Sequence, residues 1–155
     1  MAIRDIEREM DRFFEKVNEQ LHRVDQYVGE SFVRKARQID TYKDDTGNLR
    51  NSIGYIAESP VGTVKAFDGR YTKKTSAHGQ QEGALYAEGL RSEIKDSGLI
   101  LVAGMDYAYH VEAGGKTRGK KGTMRQAHDV ISNSVEIAKK QHFDLRLKVL
   151  SRLAK

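Results

Sequence analysis

The sequence predicts an α+β domain: a small antiparallel sheet of about four strands, packed by a long N-terminal helix and a C-terminal helix, with long mobile loops between them. Three observations predict it. Apolar residues recur every three or four positions from Ile3 to Ala36. Two stretches of strand character follow, one alternating at 52–67 and one continuously apolar from residue 98. Helical spacing then returns from about residue 124 to the end.

The first element is a helix over 3–39. Ile3, Ile6, Met10, Phe13, Phe14, Val17, Leu21, Val24, Val28, Phe32 and Ala36 form one stripe. Close Glu/Asp and Arg/Lys pairs occupy the other faces. Gly29 is a weak position for a helix and predicts a bend or break. At about 1.5 Å per residue such a helix spans roughly 50 Å. Part of its stripe is therefore expected to cover a sheet, and part to meet another subunit.

Asp44, Asp45, Thr46, Gly47 and Asn48 form a turn cluster. A hairpin is predicted over 52–67, with Ile53, Tyr55 and Ala57 on one face of its first strand. Its turn falls at Ser59-Pro60-Val61-Gly62. Residues 68–97 are read as a loop or insertion. The part at 68–83, rich in Gly, Ser, Lys and Gln, is read as mobile, and 84–93 as either loop or short helix. Gly98-Leu99-Ile100-Leu101-Val102-Ala103-Gly104 is apolar on both faces and predicts a central strand, with strand structure extending to residue 112. A glycine- and lysine-rich loop is expected over 113–123. The closing helix is expected over 124–155, with Ala127, Ile131, Val135, Ala138, His142, Leu145 and Val149 on its stripe.

At 155 residues the chain is one domain by the usual length prior. Charged residues make up 32% of it, and the mean hydropathy of -0.67 implies a modest core. With no cysteine there is no disulfide framework, thiolate metal site or thiol nucleophile. No apolar run reaches the length of a membrane span, and the opening residues alternate in charge where a secretion signal would be apolar.

The formal charge is +5. Lys116, Arg118, Lys120, Lys121 and Arg125 form one basic cluster, and Arg70, Lys73 and Lys74 a second. Such clusters meet nucleic acid or an acidic protein face, or they are simply solvated loops.

Catalytic signals are weak. His22, His78, His110, His128 and His142 lack metal-ligand spacing. His110 and Glu112 share a face on a predicted strand, which suits either a base–carboxylate pair or an ordinary surface pair. His142 lies on an apolar stripe and reads as a satisfied core histidine. Asp44 and Asp45 read as turn caps rather than cation ligands. Gly114-Gly115-Lys116-Thr117 ends like a phosphate loop but lacks the earlier glycine. Tyr107 and Tyr109 share a face with Val111, which fits base stacking, a protein interface or core packing.

Two segments carry a family likeness. Thr46-Gly47-Asn48-Leu49-Arg50-Asn51-Ser52-Ile53 resembles the entry to the first strand in the tail-component and neck proteins of long-tailed phages. Tyr107-Ala108-Tyr109-His110-Val111-Glu112-Ala113-Gly114 resembles a second segment of that family. Order, spacing and the closing helix also fit, while the basic loop at 115–123 departs from the family in lacking proline.

The resemblance implies a virion structural protein without catalysis or cofactor. It would form a homo-oligomeric ring, sixfold or twelvefold, between portal and tail tube. Its partners would be other copies of itself, adjacent head-completion or connector proteins, tail proteins and, non-specifically, DNA in the channel. It would reside in the virion neck, or in the host cytoplasm during assembly, without a membrane. Gly47, Leu49, Arg50, Ile53, Tyr107, Tyr109, Val111, Glu112 and Gly114 would be structural or interface positions. On physical grounds Arg50 can pair with an acid, and Glu112 across the sheet is the candidate. The alternatives are a basic nucleic-acid-binding module, and a hydrolase using Asp44, Asp45, His110 and Glu112.

Overall fold

The computed structural model describes residues 2–39, 44–105, 108, 115–116, 124–125 and 132–155, with backbone alone for 115, 116, 124 and 125. The expected strand positions Tyr107, Tyr109, His110, Val111 and Glu112, and Gly114 of the expected loop, lie outside the described residues. So do Arg118, Lys120, Lys121 and His128 of the basic loop and its flank.

Helix α1 (Ile3–Gln38) runs without interruption through Gly29. It leads to a short helix α2 (Asn48–Ser52), then to strands β1 (Ile53–Ser59) and β2 (Gly62–Ala66). Helix α3 (Ala77–Leu90) follows, closed by a 3-10 turn at Arg91–Glu93. Next come β3 (Gly98–Ala103), a two-residue pair β4 (Gly115–Lys116) and β5 (Met124–Arg125), and the last helix, α4 (Ser132–Leu153).

The α+β class, the two bounding helices and the antiparallel sheet agree with the sequence. Three strands form the sheet, in the order β2-β1-β3, and β4–β5 is a separate ribbon. The apolar 98–104 run is therefore an edge strand, and the central strand is β1. Its register explains why. Ile53, Tyr55 and Ala57 stand opposite Ala103, Leu101 and Leu99, and this face packs on Val28, Phe32, Val33 and Ala36 of α1 and Ala138 of α4. Ile56 stands opposite Ile100 and turns the other way, onto Ala87 of α3. Burial on both faces falls on β1, while β3 is only partly covered. Each large side chain buried this way stabilises the fold by about 1.5–3 kcal/mol before entropic costs.

Two loop expectations are corrected. The 68–97 stretch holds a 14-residue helix, so residues 77–83 are helical rather than mobile. Ser76 caps this helix by accepting the Gly79 N–H at 3.1 Å, and its many glycines hide the helical period. The closing helix begins at Ser132 among the described residues, and Met124–Arg125 lie in a strand instead.

Candidate functional site

The family-like residues 44–53 build a joint between α1, α2, α3 and β1. Asp44 accepts the Arg50 N–H at 2.8 Å, and Thr46 Oγ1 accepts the Asn48 N–H at 3.2 Å, so the cluster bonds nearby amides as expected of a turn. The turn nonetheless opens a short helix that the sequence does not predict, and that helix takes Ser52 from the expected strand. Gly47 takes a left-handed conformation with φ 78°, which suits glycine. Leu49 and Ile53 are fully buried and anchor the turn and strand.

Arg50 closes the end of α1. Its Nη1 donates to the carbonyls of Arg37 and Ile39 at 2.6 and 2.5 Å, satisfying acceptors that a helix end leaves open. Its expected partner, Glu112, lies outside the described residues. Asn51 donates to the carbonyls of Gly47 and Lys74, both at 2.7 Å, and accepts from Gln80 Nε2 at 3.3 Å. It thereby ties the 68–76 loop and α3 to the turn.

Sequence reasoning missed Arg37, whose guanidinium is completely buried. Nε and Nη2 donate to the Ile53 carbonyl at 3.1 and 2.6 Å. Nη1 reaches Asp68 Oδ1 at 3.1 Å and the Arg70 carbonyl at 2.8 Å. Burial lowers the Arg37 pKa from its ordinary value, and the Asp68 carboxylate opposes that shift. Partial burial alone would raise Asp68, but donors from Arg70 and Arg37 outweigh it and hold the carboxyl below its ordinary range.

The Gly79–Gly83 pair was also missed. A Cβ at Gly79 would stand 2.3 Å from the Asn48 carbonyl oxygen, and one at Gly83 would stand 2.3 Å from that of Ser52. The two glycines, four apart on one helix face, let α3 lie directly on the α2 backbone. That spacing was the available signal.

The second basic cluster is divided in its work. Arg70 bridges Glu30 at 2.9 Å and Asp68 at 2.6 Å. Lys74 Nζ donates to the Asp45 carbonyl at 2.5 Å, and the Lys73 side chain is exposed. Beside them Tyr71 takes a positive φ of 63°, with the Arg34 guanidinium 5.3 Å above its ring. At the far end of α3, Arg91 grips Glu58 through Nε at 2.5 Å and Nη2 at 3.0 Å, and reaches Thr63 at 3.1 Å. This pairing raises Arg91 and lowers Glu58 from their ordinary pKa values.

The chain matches no family model, no curated protein and no solved structure. The reading therefore rests on residues and geometry.

Of the histidines, His22 contacts Ser59 Oγ through Nδ1 at 3.0 Å. His142 is half-buried rather than in the core, with Nε2 at 2.7 Å from Asp25 Oδ1. His78 is exposed on α3. Among the described residues, no three His, Asp or Glu side chains converge as a metal site, and no helix is long and apolar enough to cross a membrane.

Proposed function

We propose that this chain is a non-catalytic structural subunit of a tailed-phage virion. It would be a neck or tail-completion component that assembles as a ring between portal and tail tube. The observation that carries the reading is the use made of residues 46–53. Gly47 turns the chain, Leu49 and Ile53 fill the core, and Arg50 closes α1. The first of the two family-like segments is thus committed to architecture.

In this reading the basic loop residues Lys116, Arg118, Lys120, Lys121 and Arg125, together with Lys73 and Lys74, meet a neighbouring protein or passing DNA. Contact with phosphates would be insensitive to base sequence. Arg70 is better suited to holding its own loop, since two carboxylates flank it.

Electron microscopy of lysates tests the reading, using the encoding phage with a nonsense mutation in this gene. DNA-filled heads beside separate, otherwise complete tails are the expected result. Intact infectious particles overturn it and favour the basic nucleic-acid-binding module. That module would bind duplex DNA with affinity falling steeply in salt.

A further inference from the structure

The first four turns of α1 stand clear of the folded body. Residues 2–16 are exposed without a break, and the helical part of that arm is roughly 21 Å long at about 1.5 Å per residue. The arm is far from uniformly polar. Ile3, Ile6, Met10, Phe13 and Val17 follow a 3-4-3-4 spacing, the seam of a coiled coil. Ile3 is 76% exposed, Met10 52%, and Phe13 and Phe14 about half. An apolar stripe of this extent marks a contact surface.

A second stripe lies on α4. Phe143, Leu147 and Leu150, spaced four and three apart, are all exposed, Phe143 to 67%. They occupy the side away from Ala138, Leu145 and Val149, which pack into the core. The edges of the two stripes differ in net charge: the arm's seam is flanked by Glu7, Glu9 and Lys16, the α4 stripe by Lys139 and Lys140 with Glu136. Glu7 and Glu9 border the arm's seam on its two sides, at the positions that set partner choice in coiled coils. Lys139 and Lys140 border the α4 stripe, Lys139 also holding Glu136 at 3.0 Å, and α4 carries Lys148 and Arg152 besides, against Asp144, while Arg146 is turned to Asp25.

We infer that the α1 arm of one copy docks on the outer face of α4 of a second copy, seam against stripe, with Glu7 and Glu9 meeting Lys139 and Lys140. Arm-to-arm pairing is the competing solution, and it matches Glu7 and Glu9 only to Lys16, the one base at the seam's edge, whereas α4 offers both Lys139 and Lys140. The two docking surfaces differ, so the contact is head-to-tail. Repeated, it closes into a ring or runs on as a filament. The inference rests on the assembly reading above only in taking the partner to be a second copy.

The absence of native cysteine makes the test clean. Phe14→Cys protein is mixed with Ser151→Cys protein and treated with a flexible bis-maleimide. Both positions are exposed, and circular dichroism checks each fold. The mixed product is expected to form roughly tenfold faster than either self-product, because docking raises the local concentration. Glu7→Lys with Glu9→Lys on the arm copy removes the preference, and Lys139→Glu with Lys140→Glu on the partner copy restores it. Equal rates for mixed and self-products overturn the inference, as does faster arm-to-arm linking. Lost preference alongside separated heads and tails sinks this docking alone. Retained preference alongside intact phage particles sinks the neck assignment alone.

Discussion

The ring of Tyr55 lies in the space that a side chain at Gly29 would need. A Cβ at that position would stand 2.5 Å from both Cγ and Cδ2 of Tyr55. The glycine that looks like a break in a helical pattern is instead a point where the sheet presses on α1. Tyr55 fills the gap, and its hydroxyl donates to Glu30 Oε1 at 3.1 Å. Gly29→Ala should gain up to about 1 kcal/mol of helix propensity and lose about 1–3 kcal/mol to overpacking. The expected net result is a lower Tm in thermal unfolding, and an unchanged or higher Tm would show that Tyr55 yields.

Arg37 replaces several separate contacts with one side chain. Arg37→Lys keeps the charge but loses the fork that serves the Ile53 carbonyl, Asp68 and the Arg70 carbonyl together. Both Arg37→Lys and Arg37→Met should cost about 2–4 kcal/mol in denaturant unfolding, since buried acceptors are left unmet. Near-wild-type stability for the lysine variant would mean that charge alone suffices.

Asp25 joins the two long helices. Its buried Oδ1 stands 2.7 Å from His142 Nε2 and accepts from Arg146 Nη1 at 3.3 Å, while Oδ2 is buried with no partner among the described residues. Arg146→Leu leaves a buried carboxylate less compensated, whereas Asp25→Leu removes it and frees two half-buried groups to find water. The first change should cost about 1–2 kcal/mol more than the second. Hydrogen exchange along α4 would report the difference, and the opposite order would refute this account of the pair.

Acid should weaken the fold through three carboxylates. The Arg91 hydrogen bond holds Glu58 below its ordinary value, and the Lys65 hydrogen bond does the same for Glu88. For Asp68, arginine donors outweigh the effect of burial. A carboxylate with a depressed native pKa contributes stability above its unfolded value and loses it as pH falls through the native one. Tm should therefore hold level from about pH 8 to 5 and fall below about pH 4. Arg91→Gln should flatten part of that fall by removing a partner of both glutamates. An acid limb as steep as that of the unsubstituted protein would assign the loss to other groups.

Much of the architecture is legible in the residues. The stripe of α1, the hairpin at Pro60-Val61 and the cap at Asp44 each follow from a local rule that tertiary structure leaves in force. What is hidden depends on long-range packing. β1 reads as one-sided because only Ile53, Tyr55 and Ala57 alternate clearly, yet α3 covers its other face at Ile56. α3 itself is masked by the glycines that let it touch α2. Arg37 looks like one more exposed charge on a helix, and only the fold places a strand-end carbonyl and a carboxylate around it.

An unbroken helix is also a lever. α1 is a stiff rod of 36 residues, free for its first four turns and gripped at its far end by Arg37 and Arg50. A pull applied to the arm is borne along the rod into its core-packed stretch, residues 24–36, and, at the far end, to the Ile53 carbonyl at the root of the central strand. The load is shared between this arginine joint and the apolar packing of Val24, Val28, Phe32, Val33 and Ala36 on the sheet and α4, so the body moves with the rod.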